Sequence, residues 1–253
     1  MPCSFTLDHY EEILKLFKDH NYKFVSFTDY KEDTDNQLIL RHDIDFSPDY
    51  ALKIAEIENA LEVQSNYHFL ISSEMYNLFS KDVLSIIKQI KGFNHSLGLH
   101  FDPSAFESMI DKNQVKESIK YLKLLFTTAE TALGKLDAYS FHRPATYGMS
   151  EKIFTEENKF EFPLCAYDEK FTKKILYRSD SRREWRNGCI CKQIDKLEGK
   201  SLQLLIHPIW WTENVMDRSQ NLIDFKIHIS TKTEKYLQNN LSFYDNKDKT
   251  TIN

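Results

Sequence analysis

Histidine, aspartate and arginine side chains stand directly after several short apolar runs of this chain. The segments are Arg41-His42-Asp43-Ile44-Asp45, Gly98-Leu99-His100-Phe101-Asp102, Ser140-Phe141-His142-Arg143-Pro144 and Leu204-Leu205-Ile206-His207-Pro208. Imidazole nitrogens and carboxylate oxygens are ligands for a divalent ion such as Zn²⁺, which in catalytic sites keeps one position open for water. Such an ion lowers the pKa of its water from about 15.7 to about 7. The residue types therefore indicate metal-assisted hydrolysis.

The residues around these segments predict that they end neighbouring strands. Strand-like runs are found at 38–44, 66–71, 95–101, 139–142 and 202–206. One predicted helix begins after Ser47-Pro48, a second begins at Ser80 and is followed by Gly92, and the longest covers 115–133. Repeated β-α-β units predict a parallel sheet with helices outside it, either a barrel or an open doubly wound sheet. In both, the carboxyl ends of the strands form one rim, where we expect the site.

Alternation along the strands places the polar residues on shared faces. Successive side chains of a strand point to opposite faces, so Arg41, Asp43 and Asp45 lie on one side. Gly98 shares a face with His100, and a small residue beneath a histidine is predicted to leave room for a pocket. Three other histidines fall on mainly apolar faces and are assigned to structural positions: His42, His68 and His95.

The composition excludes several classes of protein. The 253 residues include 33 Lys+Arg and 38 Asp+Glu, so the net charge of -5 lacks the basic excess of nucleic-acid or anionic-membrane partners. With 41% hydrophobic and 13% aromatic residues the chain is not disordered. No apolar run approaches the roughly 18 residues of a membrane span, and the N-terminus does not resemble a signal peptide. We expect a cytoplasmic protein with a single domain over 1–244 and a polar, disordered tail at 245–253.

The four cysteines form no CxxC pair. They are Cys3, Cys165, Cys189 and Cys191. Cys189 and Cys191, one residue apart, are poorly spaced for a disulfide and by themselves for a metal site. Reduced thiols are expected.

The strand-end segments and Ser179-Asp180-Ser181 stand in the order found in the polysaccharide deacetylase family, which the sequence resembles over roughly residues 36–212. This family is NodB-like and carbohydrate esterase 4-like, and the sequence is similar to a divergent subgroup associated with bacterial surface-polysaccharide biosynthesis clusters. The resemblance implies a distorted (β/α) barrel with parallel strands inside and helices outside. It also implies a metal-dependent carbohydrate N-deacetylase, a hydrolase that removes an acetyl group from an amino sugar or a surface-polysaccharide precursor.

The resemblance implies a role for each matching residue. Asp43 is the expected base, Asp45 a metal ligand and His207 the general acid, which predicts a bell-shaped rate profile with one limb each from Asp43 and His207. The Arg143 region is expected to stabilise the oxyanion, and Arg143 is a candidate partner of Asp43. Because the family's two aspartates are adjacent whereas Ile44 separates these, the exchanged assignment of Asp43 and Asp45 stays open.

The family's pair of histidine ligands is incomplete in this chain. Its first member matches His100, but its second falls at Ser104. A third ligand for the expected Zn²⁺ must come from elsewhere, with His142 as first choice and Asp102 as second. A degenerate, non-catalytic saccharide-binding protein is therefore one alternative, and a metal-dependent phosphoesterase on the same site is another.

The expected substrate is a carbohydrate or an activated sugar. Sugar rings stack on indole faces, so Trp210 and Trp211 are candidate substrate contacts, although tryptophans more often belong to a core. Asp180 is a third candidate. Four arginines surround it, as either a solvated loop or a phosphate-binding loop for an activated sugar: Arg178, Arg182, Arg183 and Arg186.

Overall fold

Eight strands of the described residues form one sheet in which every pair of neighbours is parallel. The structure is a computed structural model that describes residues 3–105, 115–144 and 164–244. The strands are β1 (Lys23–Phe24), β2 (Gln37–Ile44), β3 (Asn66–Leu70), β4 (Ser96–Phe101), β5 (Ala138–Phe141), β6 (Leu164–Cys165), β7 (Leu176–Ser179) and β8 (Leu202–Ile206). Their order is β6-β5-β4-β3-β2-β8-β7, with β1 paired to the start of β2. The strands therefore end at one common edge, as predicted.

Helices supply the crossovers that parallel strands require. They are α1 (Leu7–Asp19), α2 (Pro48–Ala60), α3 (Lys81–Gly92), α4 (Val115–Leu133), α5 (Glu169–Thr172) and α6 (Arg218–Asn240). Helices α2, α3 and α4 connect β2 to β3, β3 to β4 and β4 to β5. Helix α6 lies in a second compact unit, Asn214–Asn253, and begins with a capping box of Asp217 and Gln220. In the described part of the chain, no helix has the length and apolar character needed to cross a membrane.

The sheet curls, so that distant strands touch across its inner face. Arg41 of β2 donates from Nη2 to the hydroxyl of Tyr167, just after β6, across 3.0 Å. Three strands lie between β2 and β6 in the sheet. Gln203 of β8 reaches the same segment and donates to the carbonyl oxygen of Ala166 at 3.0 Å. The fold is a distorted (β/α) barrel, which confirms the expectation from the resemblance.

Apolar side chains fill the space around the strands on both faces. Phe27, Ile39 and Phe171 pack together inside the barrel. Outside it, one cluster joins α2, α3 and α4 to the sheet, and another joins α1 and α2 to β2 and β8. Each large apolar side chain buried in this way contributes about 1.5–3 kcal/mol. All eight residues of β2 are buried, so the strand that carries Asp43 and leads directly into Asp45 is firmly held.

Two predicted helix ends differ in detail from the structure. Ser47 occupies the N-cap position of α2, but its hydroxyl makes no capping hydrogen bond and instead donates to Asp49 Oδ2 at 3.4 Å. Gly92 is the last residue of α3 rather than the residue after it, and Asn94, with φ of 66°, adopts the left-handed conformation that asparagine tolerates. A single domain over 1–244 stays a prediction, and the tail at 245–253 lies outside the described residues.

Candidate active site

The carboxyl ends of β2, β4, β5 and β8 bring the predicted metal ligands and the predicted acid together. Asp45 Oδ1 lies 3.3 Å from His100 Nε2 and 3.1 Å from His142 Nδ1. His207 Nε2 lies 4.0 Å from Asp45 Oδ2. Asp43 Oδ2 lies 3.7 Å from His100 Nε2. These five residues, Asp43, Asp45, His100, His142 and His207, are called the rim site below.

The segment after β3 holds the end of β2 in place. Tyr76 donates its hydroxyl proton to the carbonyl oxygen of Ile44 across 2.6 Å and accepts a hydrogen bond from the backbone N–H of Leu70 at 2.7 Å. The hydroxyl of Ser73 donates to the carbonyl oxygen of Asp45 at 2.9 Å. These bonds fix the backbone from which the Asp45 side chain projects.

The surroundings of Asp45 suit a divalent cation. Burial raises the pKa of Asp45, but the imidazoles of His100, His142 and His207 lower it well below its usual range, so the group is a carboxylate. Its buried Oδ1 has no hydrogen bond of good geometry. The measured separations of 3.1 and 3.3 Å are close to the roughly 3.3 Å edge of a tetrahedron whose ligands lie about 2.05 Å from its centre. The side chains of Asp45, His100 and His142 therefore fit such an ion.

Arg41, and not Arg143, is the partner of Asp43. Its Nε and Nη2 donate to the two carboxylate oxygens at 2.9 and 2.7 Å, the bidentate arrangement typical of strong pairs. Burial raises the pKa of Asp43, but the guanidinium of Arg41 lowers it well below its usual range. Asp43 is therefore a carboxylate at neutral pH, and the bell-shaped profile stays a prediction.

Ser140 of β5 connects Asp43 to two histidines. Its Oγ lies 2.7 Å from His100 Nδ1 and 2.8 Å from His68 Nδ1, and it donates to Asp43 Oδ1 at 3.3 Å. A hydroxyl has one proton. When Ser140 directs this proton to Asp43 in a hydrogen bond, its oxygen can only accept from the two imidazoles, so both histidines carry their proton on Nδ1. His100 Nε2 then carries a lone pair that faces Asp45. Ser140 thereby selects the tautomer that a metal ligand needs.

The space beside Gly98 is filled, which corrects the prediction of a pocket there. A methyl group at position 98 would overlap the imidazole of His68 from the neighbouring strand. His68 is fully buried and faces the barrel interior beside Ser140, so its assignment to the apolar face was also wrong. Burial lowers the pKa of His68 well below its usual value, and it is neutral. Because Gly98 has no side chain, the His68 imidazole can occupy the space beside it.

The two predicted third ligands differ in the bonds that they already make. Asp102 Oδ1 accepts hydrogen bonds from the backbone N–H and the hydroxyl of Ser104 at 2.9 and 2.7 Å, which ties it to the following turn. His142 Nε2 accepts from Arg143 Nε at 2.9 Å. In a neutral imidazole this bond places the proton on Nδ1, so coordination through Nδ1 requires that Arg143 release Nε2. Arg143 is exposed, and within the described part of the chain its one side-chain hydrogen bond is the bond to His142.

Asp180 positions His207. Its Oδ1 lies 2.6 Å from His207 Nδ1, and both oxygens accept from the His207 backbone N–H at 3.0 Å. Trp211 Nε1 donates to Asp180 Oδ2 at 2.9 Å. Burial lowers the pKa of His207, but Asp180 and the more distant Asp45 and Asp43 together raise it to about 9. His207 therefore carries a proton at neutral pH.

The residues predicted to contact substrate are placed differently from one another. Asp180 is fully buried and both of its oxygens take part in hydrogen bonds, so it holds His207 in place and does not face a substrate. Trp211 is 1% exposed and is likewise structural. Trp210 is partly buried and packs against the apolar cluster of α1, α2, β2 and β8, to which Trp211 belongs. Arg183 is buried with its guanidinium over an aromatic ring at 5.6 Å, which is not the arrangement of an open phosphate-binding loop.

Three residues that shape the site were not predicted from the sequence: Arg41, Ser140 and Tyr76. A signal for Arg41 was present, because it shares a face with Asp43 two positions further along the strand. Ser140 and Tyr76 had no comparable signal. The partners of Ser140 lie on other strands and are set by the register of the sheet. Tyr76 lies in the loop after β3 and reaches the end of β2 only through the path of that loop.

No protein-family model matches the sequence, and no curated protein matches it. Among solved structures, the peptidoglycan deacetylase PdaC from Bacillus subtilis is similar with a TM-score of 0.46 and 11% identity, covering 84% of this chain and 100% of that one. A CE4 esterase from Streptococcus mutans has a TM-score of 0.45 and 13% identity, covering 90% and 87%. BA3943, a CE4 family pseudoenzyme from Bacillus anthracis, has a TM-score of 0.41 and 12% identity, covering 77% of this chain. The chain spans 60% of the length of BA3943, and its similarity to all three is one of fold.

Proposed function

We propose that the rim site belongs to a metal-dependent hydrolase that removes an acetyl group from an amino sugar. The observation that carries the proposal is the buried, ionised Asp45 with two imidazole nitrogens within 3.3 Å and His207 beside it. A cation site, a second carboxylate and a protonated imidazole at one rim provide what amide hydrolysis needs, namely an electrophile, a proton acceptor and a proton donor.

Asp45, His100 and His142 are the proposed ligands of a divalent ion, with Zn²⁺ as the proposed metal. When bound, the ion polarises the carbonyl oxygen of the acetamide and makes a water acidic enough to attack at neutral pH. Ser140 prepares His100 for this role by accepting from its Nδ1. Arg143, once separated from His142, would place its guanidinium near the developing oxyanion.

Asp43 is the proposed proton acceptor. Its Oδ2 lies 3.7 Å from His100 Nε2, which places it next to the proposed ligand atoms. Arg41 and Ser140 hold both of its oxygens in a fixed orientation, so it needs little reorganisation during the reaction. The low pKa that Arg41 imposes on Asp43 makes it a weak base, which is sufficient only for a strongly acidified water.

His207 is the proposed proton donor to the leaving amine. Its pKa of about 9 keeps it protonated at neutral pH, and Asp180 orients the ring with Nε2 toward Asp45. As the C–N bond of the tetrahedral intermediate breaks, the proton on Nε2 passes to the sugar nitrogen. Asp180 then stabilises the ring orientation in both protonation states.

An acetylated amino sugar, free or within a nucleotide- or lipid-linked precursor, is the proposed substrate. The support is the resemblance of the strand-end motifs to polysaccharide deacetylases, together with the partly buried indole of Trp210, three positions after His207. An indole face at this position suits the apolar side of a sugar ring.

The proposal is tested by measuring bound metal and released acetate on the same protein samples. Zinc-loaded full chain is incubated with N-acetylglucosamine oligosaccharides and with a nucleotide-linked N-acetyl amino sugar, and acetate and phosphate are both assayed. Substituting His100→Ala should remove most metal from the rim site and abolish acetate release while the melting transition persists. The matched control His20→Ala, at the residue that follows α1, should keep both.

Two other outcomes would overturn the deacetylase proposal. Release of phosphate without acetate would indicate a phosphoesterase. Binding of the saccharide with neither product formed, in protein whose rim site is loaded with metal, would indicate a non-catalytic saccharide-binding protein.

A further inference from the structure

Three cysteines and a histidine meet at a second place, outside the rim site. Cys191 Sγ lies 3.5 Å from Cys3 Sγ and 3.3 Å from Cys189 Sγ. Cys189 Sγ lies 3.3 Å from His9 Nε2. The four atoms all lie within 4.8 Å of one another, and all three cysteines are free thiols. These residues, Cys3, His9, Cys189 and Cys191, are called the thiol cluster.

The distances within the thiol cluster match the ligand shell of a tetrahedral zinc ion. With Zn–S near 2.3 Å and Zn–N near 2.05 Å, the edges of the tetrahedron are about 3.8 Å between sulfurs and about 3.6 Å between sulfur and nitrogen. The measured contacts are shorter by only a few tenths of an ångström. Three thiols have weak mutual hydrogen bonds, whereas a cation would give every one of these atoms a strong partner.

The other nitrogen of His9 makes the bond that accompanies metal ligation. His9 Nδ1 lies 2.9 Å from Glu12 Oε2, one turn further along α1. With the proton on Nδ1 and directed to this carboxylate, the lone pair of Nε2 points into the thiol cluster. A carboxylate behind the ligating histidine is the usual arrangement in zinc sites, because it fixes the ring and its tautomer.

The thiol cluster joins two segments that are far apart in the sequence. Cys3 precedes α1 and His9 lies in its first turn, whereas Cys189 and Cys191 lie in the segment of short 3₁₀ turns between β7 and β8. This segment has little regular secondary structure of its own. A bond between sites about 180 residues apart would remove much conformational entropy from the unfolded chain.

We propose that Cys3, His9, Cys189 and Cys191 bind a structural zinc ion. Binding converts the three thiols to thiolates and releases their protons, while His9 stays neutral and donates only to Glu12. All four positions of the tetrahedron are filled by protein, so this ion has no open position for water and takes no part in hydrolysis. Its role is to fasten the turns between β7 and β8 to the beginning of α1.

The test uses the full chain carrying His100→Ala, so that the rim site does not contribute metal. This protein should purify with about one zinc per chain, and X-ray absorption should show sulfur neighbours near 2.3 Å. Replacing the zinc with Co²⁺ should produce thiolate-to-cobalt charge-transfer absorption, which a site of carboxylate and imidazoles alone does not give. Adding Cys189→Ser should reduce the zinc to near none.

Cys165→Ser is the matched control, because Cys165 is a buried cysteine of β6 that lies outside the thiol cluster. It should leave zinc content and the cobalt spectrum unchanged. Equal zinc in the Cys189→Ser and Cys165→Ser proteins, a zinc shell without sulfur, or a Cys3–Cys191 disulfide in freshly isolated protein would each overturn the proposal. If Cys189→Ser does not fold, the absorption data on the parent protein decide the question alone.

Discussion

Two clusters of histidines and acids lie on opposite faces of β2, and they differ in how completely their acids are hydrogen-bonded. The rim site uses the inner face. The outer face contributes to the Glu58 cluster, which consists of Tyr10, His42, Glu58, Tyr67 and His95. There the buried carboxylate of Glu58 on α2 accepts from the hydroxyl of Tyr10, from the hydroxyl of Tyr67 at 2.6 Å and from His42 Nε2 at 2.7 Å. His95 Nε2 lies 3.7 Å from the same carboxylate.

The pKa values of Asp45 and Glu58 are shifted by the same effects, but the two carboxylates differ in their hydrogen-bond donors. For both acids, burial raises the pKa, but neighbouring imidazoles lower it by a larger amount, so both acids are ionised. Both oxygens of Glu58 have donors from α1, β2 and β3, under a layer of helices. Asp45 Oδ1 has no well-directed donor and lies where the strands end. A buried acid whose oxygens all accept hydrogen bonds holds the helices to the sheet, whereas one with an oxygen that lacks a donor keeps the capacity to bind a ligand.

The largest expected effect separates the two clusters by activity. Replacing Asp43→Asn keeps the shape of the side chain but removes the proton acceptor, so turnover should fall by roughly 10²–10⁴ while metal remains bound. Metal occupancy and acetate release are measured on one sample, per folded molecule, because the buried Arg41 loses its ion pair. Loss of metal would instead support the exchanged assignment, with Asp43 as ligand and Asp45 as base. Full activity with full metal would exclude both assignments.

The Glu58 cluster should respond in stability and not in turnover. Glu58→Gln removes a buried charge that several donors face, and breaking such a pairing typically lowers the free energy of unfolding by about 3–5 kcal/mol. Urea denaturation measures the loss, and acetate release per folded molecule should be unchanged. Glu56→Gln, an exposed position on the same helix, serves as control and should change neither quantity. A large fall in turnover for Glu58→Gln would refute the division between the clusters.

Removing the hydroxyl that orients a proposed ligand should weaken metal binding without abolishing it. Ser140→Ala deprives His100 Nδ1 of its 2.7 Å partner, so the imidazole loses its fixed tautomer and orientation. Second partners of this kind are typically worth 10–100-fold in metal affinity. Competition with a chelator, monitored at the rim site in a Cys189→Ser background, measures the change. An unaltered affinity would show that packing alone positions His100.

The smallest expected effect is a displacement of the pH profile. His207 donates a proton only below its pKa of about 9, so activity should decline as pH rises through that region. Asp180→Asn removes the negative charge that raises this pKa, and the alkaline limb should move to lower pH by roughly one unit or more. The test compares the pKa of His207 in the variant with its pKa in the parent protein, because a bound cation lowers the pKa in both proteins. An alkaline limb that stays in place would assign it to another group.

Much of the architecture follows from local features of the sequence. Alternation of apolar residues and the Ser-Pro and Ser signals before α2 and α3 predicted strands and helices that the structure contains, with ends shifted by one or two residues. The same alternation placed Asp43 and Asp45 on one face, and the β-α-β order placed the strand ends at one rim. These inferences succeed because the period of a strand and the direction of a crossover are set by neighbouring residues.

Only the tertiary structure decided which polar groups are partners. Asp43 pairs with Arg41 and not with Arg143, Asp180 lies beneath His207 and does not face substrate, and His68 fills the space that Gly98 was expected to leave open. The thiol cluster likewise unites residues about 180 positions apart. A hydrogen bond or coordination shell depends on distances of a few tenths of an ångström between atoms that strand register and sheet curvature bring together, and sequence spacing carries no information on that scale.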